Sequence, residues 1–271
     1  VGGLAIEEAL DIVGIDGARV GDELERIGYN GATPCPGFAP HSFVELHIEQ
    51  GPVLERTNMT IGAVTGVQGI SWQEITALGQ SNHAGTTPMN MRKDPGYVVA
   101  AIAVFLRDLA SRYGGHQVCT VGKIDLFPNL VNVIPAKAVM TVDIRNTDEG
   151  ILCQAEKELA DYLVEISHSE DVTVSTRYLA RFEPVEFHPQ VVELISSVAK
   201  THTQAVVPMP SGAGHDAQMF ARVCPSAMIF VPSVDGISHN PSELTSPKDI
   251  ALGTNILLQV LLQLAAKEEF S

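Results

Sequence analysis

The sequence predicts an α/β protein into which a smaller α+β unit is inserted. Three observations carry this reading. The middle of the chain orders strand, helix, strand, strand, helix, strand. Both flanks alternate strands with helices, the pattern of an α/β layer structure. A long apolar helix opens at Ser246-Pro247, with serine at the N-cap and proline at the first helical position.

The central elements follow from periodicity. Residues 70–78 carry Trp72, Ile75 and Thr76 and stop at Gly79, which reads as a strand. Val98, Ile102, Phe105 and Leu109 recur at helical spacing, predicting a helix over residues 94–109. Residues 117–125 are β-rich. Ala138, Met140, Val142 and Ile144 alternate with Val139, Thr141, Asp143 and Arg145, so Arg145 leaves its strand on the face away from the apolar one. Leu152, Ala155, Leu159, Tyr162 and Ile166 mark a second helix, and Val172 and Val174 begin a last strand before Arg181. Two helices on one face of four strands is the ferredoxin-like split arrangement.

The flanks add a short helix over residues 5–14, a buried-type strand over 43–48, a helix over 189–200 and an apolar strand over 226–231. The final helix runs through Leu262. Residues 1–66 and 182–271 are expected to form one α/β domain, with residues 67–181 inserted into it.

Composition excludes several classes. Net charge is −15 over 271 residues, and no basic patch offers a footprint for nucleic acid. The longest apolar stretch, residues 256–266, is broken by Gln259 and Gln263 and is too short to span a bilayer. Cys35, Cys119, Cys153 and Cys224 match no CxxC pattern, so reduced, mostly buried thiols in a cytoplasmic protein are expected. The chain opens on Val1 rather than methionine, and targeting is not read from it.

The residues that stand out are polar groups in unusual places. His47 lies near a strand end in Glu45-Leu46-His47-Ile48-Glu49-Gln50, and His239 lies in a polar loop 192 positions later (239 − 47). Together they look like two ligands of a metal centre whose other ligands are absent from the chain. On a strand, Glu45, His47 and Glu49 share one face. Three ionisable groups there are costly unless they meet a metal, one another or water; a solvated edge is the plain alternative. His83 sits in a loop of small polar residues, placed to donate to a carbonyl, or is simply part of a long connection. Asn132 joins two strands and is a turn residue or a contact. Arg145 suits bidentate pairing with a carboxylate; pairing with Asp143 or Asp148 serves equally well. Residues 211–218 form a glycine-rich turn entering a helix, where His215 is a ligand contact, a capping residue or a core histidine. Asp235 and Glu243 flank His239, where a carboxylate can orient an imidazole without binding metal itself.

The strings ELHIEQGPVLE (45–55), SNHAGTTPM (81–89), VNVIP (131–135), DIRNTD (143–148), SGAGHDAQ (211–218) and SHNPSE (238–243), in this order, resemble one amidase family. It comprises N-carbamoyl-L-amino-acid hydrolases, allantoate amidohydrolases and beta-ureidopropionases, and is related to the dinuclear zinc exopeptidases. The likeness covers essentially the whole chain.

The resemblance implies a zinc-exopeptidase-like α/β catalytic domain with an inserted lid and dimerisation domain, working as a homodimer on a small carboxylate substrate. It implies two divalent metal ions (zinc, manganese, cobalt or nickel), with His47 and His239 each ligating one. Gln50 would contact substrate, His83 would polarise the scissile carbonyl, Asn132 and Arg145 would hold the substrate carboxylate, and His215 with Gly214 would line the pocket. The activity implied is hydrolysis of a carbamoyl or ureido C–N bond. A peptidase or N-deacylase on the same scaffold, or a non-catalytic dimerising or ligand-binding module, is the alternative. Family members also carry an N-terminal segment with a histidine, a bridging aspartate, a glutamate ligand and a glutamate base. The chain is expected to begin after it, leaving its catalytic domain incomplete: either the sequence is a fragment, or the protein has lost catalysis.

Overall fold

The computed structural model describes residues 3–14, 16–35, 37–38 and 40–267. Its elements run α1 (Ile6–Leu10), α2 (Val20–Arg26), β1 (Phe43–Ile48), α3 (Val53–Arg56), β2 (Ile61–Val67), β3 (Gly69–Leu78), β4 (Asn82–His83), α4 (Pro95–Tyr113), β5 (Val118–Phe127), β6 (Val133–Ile134) and β7 (Lys137–Asn146). They continue as α5 (Glu149–Ser169), β8 (Thr173–Phe182), β9 (Val185–Glu186), α6 (Pro189–His202), β10 (Val206–Ser211), α7 (Asp216–Phe220), β11 (Ser226–Val231) and α8 (Pro247–Ala265). The fold is a mixed α/β one. No helix of the described residues is long and apolar enough to cross a membrane.

The chain divides into two compact units. One holds Val1–Ala63, Phe187–Pro208 and His215–Ser271; the other holds Val64–Glu186 and Met209–Gly214. The expected division at 67 and 181 thus differs by a few residues. It also assigned the whole glycine-rich turn, residues 211–218, to the α/β part, whereas its first half, through Gly214, groups with the second unit and His215 onward with the first.

In the first unit, β1 and β11 pair in parallel, with His47 opposite Phe230. They belong to a sheet ordered β1-β11-β2-β10, with β9 on β2. β11 is buried throughout, because it has a neighbour on each side. β1 was expected to be buried and is not. It lies at the sheet's edge among the described residues, and each of its residues is half-buried. The α8 N-terminus is capped as its sequence dictates: the Ser246 hydroxyl accepts the Asp249 N–H.

The second unit has an antiparallel sheet ordered β5-β7-β3-β8, threaded as β-α-β-β-α-β with α4 and α5 as the helices. Alternation on β7 does what the sequence dictates. Ala138, Met140, Val142 and Ile144 face inward with Ile75 and Ala77 of β3 and the apolar stripes of both helices. The stripes are rotated slightly from the periodicity reading. Leu106 and Leu163 are the buried positions, while Phe105 and Tyr162 stack on each other at the rim, ring centroids 4.1 Å apart. Aromatic rings too large for the centre close the seam between the helices instead. Asp94 caps α4 through the Gly96 and Tyr97 N–H groups, and Asp148 caps α5 through Ile151.

All four cysteines are free. Cys35 and Cys153 are exposed, which corrects the expectation of mostly buried thiols.

Candidate metal centre and active site

Parallel pairing brings the loops after β1 and β11 to the same end of the sheet. The carboxyl ends of parallel strands are where α/β sheets hold ligands. The Glu49 N–H donates to the Val231 carbonyl, 2.9 Å, extending the ladder one residue. The Gln50 N–H then donates to the Ser233 hydroxyl, 3.1 Å, with Gln50 in the left-handed region (φ 57°). One turn later Gly236 (φ 66°) lies against Pro52. A Cβ there would fall 2.6–2.8 Å from Pro52 Cβ, Cα and N, so only glycine fits. These contacts tie the loop that carries His239 to the loop that follows His47.

Glu45, His47 and His215 gather on this part of the unit. One ligand atom from each lies within 4.8 Å of the others. The His47 Nδ1 is 2.7 Å from the Ile48 carbonyl oxygen. A carbonyl oxygen only accepts, so Nδ1 carries the proton and Nε2 keeps its lone pair. An imidazole tied down this way at one nitrogen is prepared to bind a metal through the other.

His215 is the N-cap residue of α7, and its side chain is only 2% exposed. Its ring meets His47 edge-on, centroids 4.6 Å apart, and Phe230 at 5.7 Å. Its Nδ1 lies 3.6 Å from Glu45 Oε1, while Glu45 Oε2 accepts the Ala217 N–H at 2.8 Å. Burial pushes the Glu45 carboxyl up, but His215, the Ala217 N–H and the field of His47 outweigh it and leave the carboxyl below its ordinary value. Glu45 and His215 therefore hold each other and the start of α7, and His47 is the member of the trio with an uncommitted nitrogen. Glu49 is elsewhere: its carboxylate accepts the Val53 and Leu54 N–H groups (2.7 and 2.9 Å) and caps α3.

His239 is exposed, with φ 55°, and is not one of the gathered three. Its N–H donates to Glu243 Oε2 at 3.0 Å. The Ser238 hydroxyl and that N–H, with the field of His239 and His47, hold the Glu243 carboxyl below its ordinary value.

In the second unit, β4 and β6 pair with His83 opposite Val133, and the Ala84 N–H donates to the Asn132 carbonyl at 3.0 Å. No local pattern around His83 or Asn132 marks these two loops as neighbours; only the family resemblance brought them to one substrate. The His83 Nδ1 accepts the Gly85 N–H, 3.0 Å. A neutral His83 therefore carries its proton on Nε2 and offers a donor outward, as polarising a carbonyl requires. Arg92 fastens the loop through the Ala84 and Thr87 carbonyls.

Arg145 projects from the sheet face opposite the helices. Its Nε and Nη2 grip Asp143, two residues away on the same face of β7, at 2.7–3.1 Å. Its Nη1 donates to the Gly212 carbonyl at 2.5 Å, and the Trp72 ring lies 5.9 Å from Cζ. The pairing with Asp143 weighed from the sequence is the one found. Gly214, two residues beyond Gly212, is exposed. Sequence reasoning missed Phe230 and Ser233, since no local pattern marks a ring on β11, or a hydroxyl in the loop after it, as neighbours of a strand so distant in sequence.

The model of the peptidase family M20/M25/M40 matches residues 7–263. The chain belongs to this family. It is 41% identical over 224 residues to an allantoate amidohydrolase of Escherichia coli (strain K12), covering 83% of this chain and 54% of that protein. It is 38% identical over 250 residues to an N-carbamoyl-L-amino-acid amidohydrolase of Rhizobium meliloti, covering 92% and 60%. An amidase of the hydantoinase/carbamoylase family from Burkholderia multivorans superposes with a TM-score of 0.90 at 39% identity, covering 97% of this chain and 64% of that one. The chain thus spans between half and two thirds of the length of these relatives. Two imidazoles and a carboxylate, with one imidazole nitrogen held free, are a donor set that fits a divalent ion.

Proposed function

We propose that this chain works in a metal-dependent amidohydrolase that cleaves the carbamoyl or ureido C–N bond of an N-carbamoyl-L-amino acid or an analogue such as allantoate or 3-ureidopropionate. The observation that carries the reading is His47. Its Nδ1 is committed to the Ile48 carbonyl and its Nε2 is free, within the stretch matched by the family, residues 7–263. His47 and His239 would each hold one of two divalent ions (zinc, manganese, cobalt or nickel), with the Glu45–His215 pair beside His47. Such ions supply Lewis-acid polarisation and a water made acidic near neutral pH.

The remaining roles belong to the chain's own side chains. His83 donates from Nε2 to the carbonyl oxygen of the ureido group, where negative charge develops. Arg145 and Asn132 bind the substrate carboxylate. Gln50, Gly214 and His215 line the substrate's surroundings. The second unit serves as a lid and as the dimer contact.

The test is ammonia release by the intact protein, with each metal restored after chelation, from N-carbamoyl-L-alanine, allantoate and 3-ureidopropionate. N-acetyl-L-alanine and alanyl dipeptides form the control arm. Metal-dependent turnover of a ureido substrate supports the proposal. Preference for the acyl or dipeptide arm replaces it with a deacylase or peptidase, and no turnover in either arm refutes it.

A further inference from the structure

The guanidinium of Arg145 is already well occupied. It has five N–H donors. Asp143 takes the Nε–H and one Nη2–H, and the Gly212 carbonyl takes one from Nη1. One hydrogen on each terminal nitrogen is left. Trp72 lies beneath the plane, 5.9 Å from Cζ. The pair is well shielded, with the Arg145 and Asp143 side chains 21% and 26% exposed. An ordinary surface ion pair is held by one flexible contact and is worth little. This one is bidentate and fixed at a third point by a backbone carbonyl, so its geometry is set before any ligand arrives.

We infer that Asp143 is a positioning residue that decides how Arg145 meets a substrate carboxylate. This rests on the reading of Arg145 as the carboxylate contact. Asp143 closes the Nε side of the fork and Gly212 takes one Nη1 hydrogen, so an incoming carboxylate is confined to the one hydrogen left on each of Nη1 and Nη2. It also cancels the formal charge of Arg145, so attraction over distance is weak and preference for a carboxylate comes from hydrogen-bond geometry. The chain thereby gives up affinity for anions in general and keeps discrimination for a carboxylate delivered along one direction.

Asp143→Asn and Asp143→Ala separate the two roles. Asparagine keeps an oxygen for the Nε–H, removes the charge and releases the Nη2–H, since its NH2 cannot accept; alanine removes both acceptors as well as the charge. The assay uses whichever of N-carbamoyl-L-alanine, allantoate and 3-ureidopropionate is turned over fastest, beside its primary carboxamide, with the intact metal-loaded protein. Asp143→Asn is expected to lower KM for the carboxylate about threefold to tenfold, with kcat nearly unchanged and a steeper dependence of KM on salt. Asp143→Ala is expected to raise that KM and narrow the preference over the carboxamide. If both variants raise KM together, Asp143 is only a structural partner and the inference fails. If neither moves KM, it fails as well. A wild-type protein that turns over carboxamide as well as carboxylate overturns the reading of Arg145 first, and the inference falls with it. In that case Arg145→Lys also leaves KM unmoved, which tells the two failures apart.

Discussion

The His47 imidazole donates from Nδ1 to the carbonyl of its own neighbour Ile48, at 2.7 Å. The residue that anchors the ring is therefore part of the same strand, and the orientation survives changes elsewhere in the loops. His47→Ala should lower the stoichiometry or affinity of bound divalent metal by at least about tenfold while leaving the far-ultraviolet circular dichroism unchanged. Metal content by atomic emission after dialysis checks this. Full retention of metal would remove His47 from the ligand set.

Gly236 presses on Pro52 with φ 66°. Gly236→Ala adds both a clash with backbone atoms and a left-handed conformation for an L-residue. The expected cost is about 1–3 kcal/mol in urea unfolding, with weaker metal binding because the loop carrying His239 must shift. A neutral result would mean that the two loops move independently.

Arg181 reaches back from β8 to Glu149 at 2.6 Å and Glu156 at 3.0 Å on α5. Burial raises the Glu149 carboxyl, and the hydrogen bond and field of Arg181 more than reverse it, so its folded-state value lies below the ordinary 4.5. A depressed carboxyl stabilises the fold fully above its unfolded value and loses that contribution as pH falls through the folded one. Stability should therefore decline as pH drops below about 4.5, and Glu149→Gln should flatten that decline. Thermal melts between about pH 3 and about pH 6, a range that brackets the ordinary carboxylate value, measure it.

Leu159 is wholly buried in the cluster between α5 and the sheet, whereas Val164 on the same helix is exposed. Leu159→Ala should cost about 2–5 kcal/mol. Val164→Ala should change stability by less than about 0.5 kcal/mol. Equal effects in denaturant titrations would contradict the helix orientation described above.

Local periodicity revealed much of the fold because its signals lie within a few residues of each other. The alternation on β7 and the stripe through Leu152, Ala155 and Leu159 needed no knowledge of distant partners. Phe105 and Tyr162 misled slightly, since hydrophobicity marks a face and not its centre. The strand 43–48 misled more. Its composition suggests burial, but burial is set by how many strands flank it. At the site, the pairing of Asp143 with Arg145 was readable because residues two apart on a strand share a face. That His215 and Glu45 meet across 170 positions (215 − 45) was not. Nor was the commitment of Glu49 to the start of α3, because capping depends on the turn taken at Gln50.

The pairing of Phe43 with Ser226 joins strands 183 positions apart (226 − 43). A ribosome must therefore deliver β3 through β10 before β1 acquires its parallel neighbour, and closing so long a loop is slow. Until β11 arrives, the His47 ring lacks the neighbour that Phe230 provides in the fold. The slow closure of that loop therefore sets when the two strands, and the imidazole and aromatic ring they carry, come together.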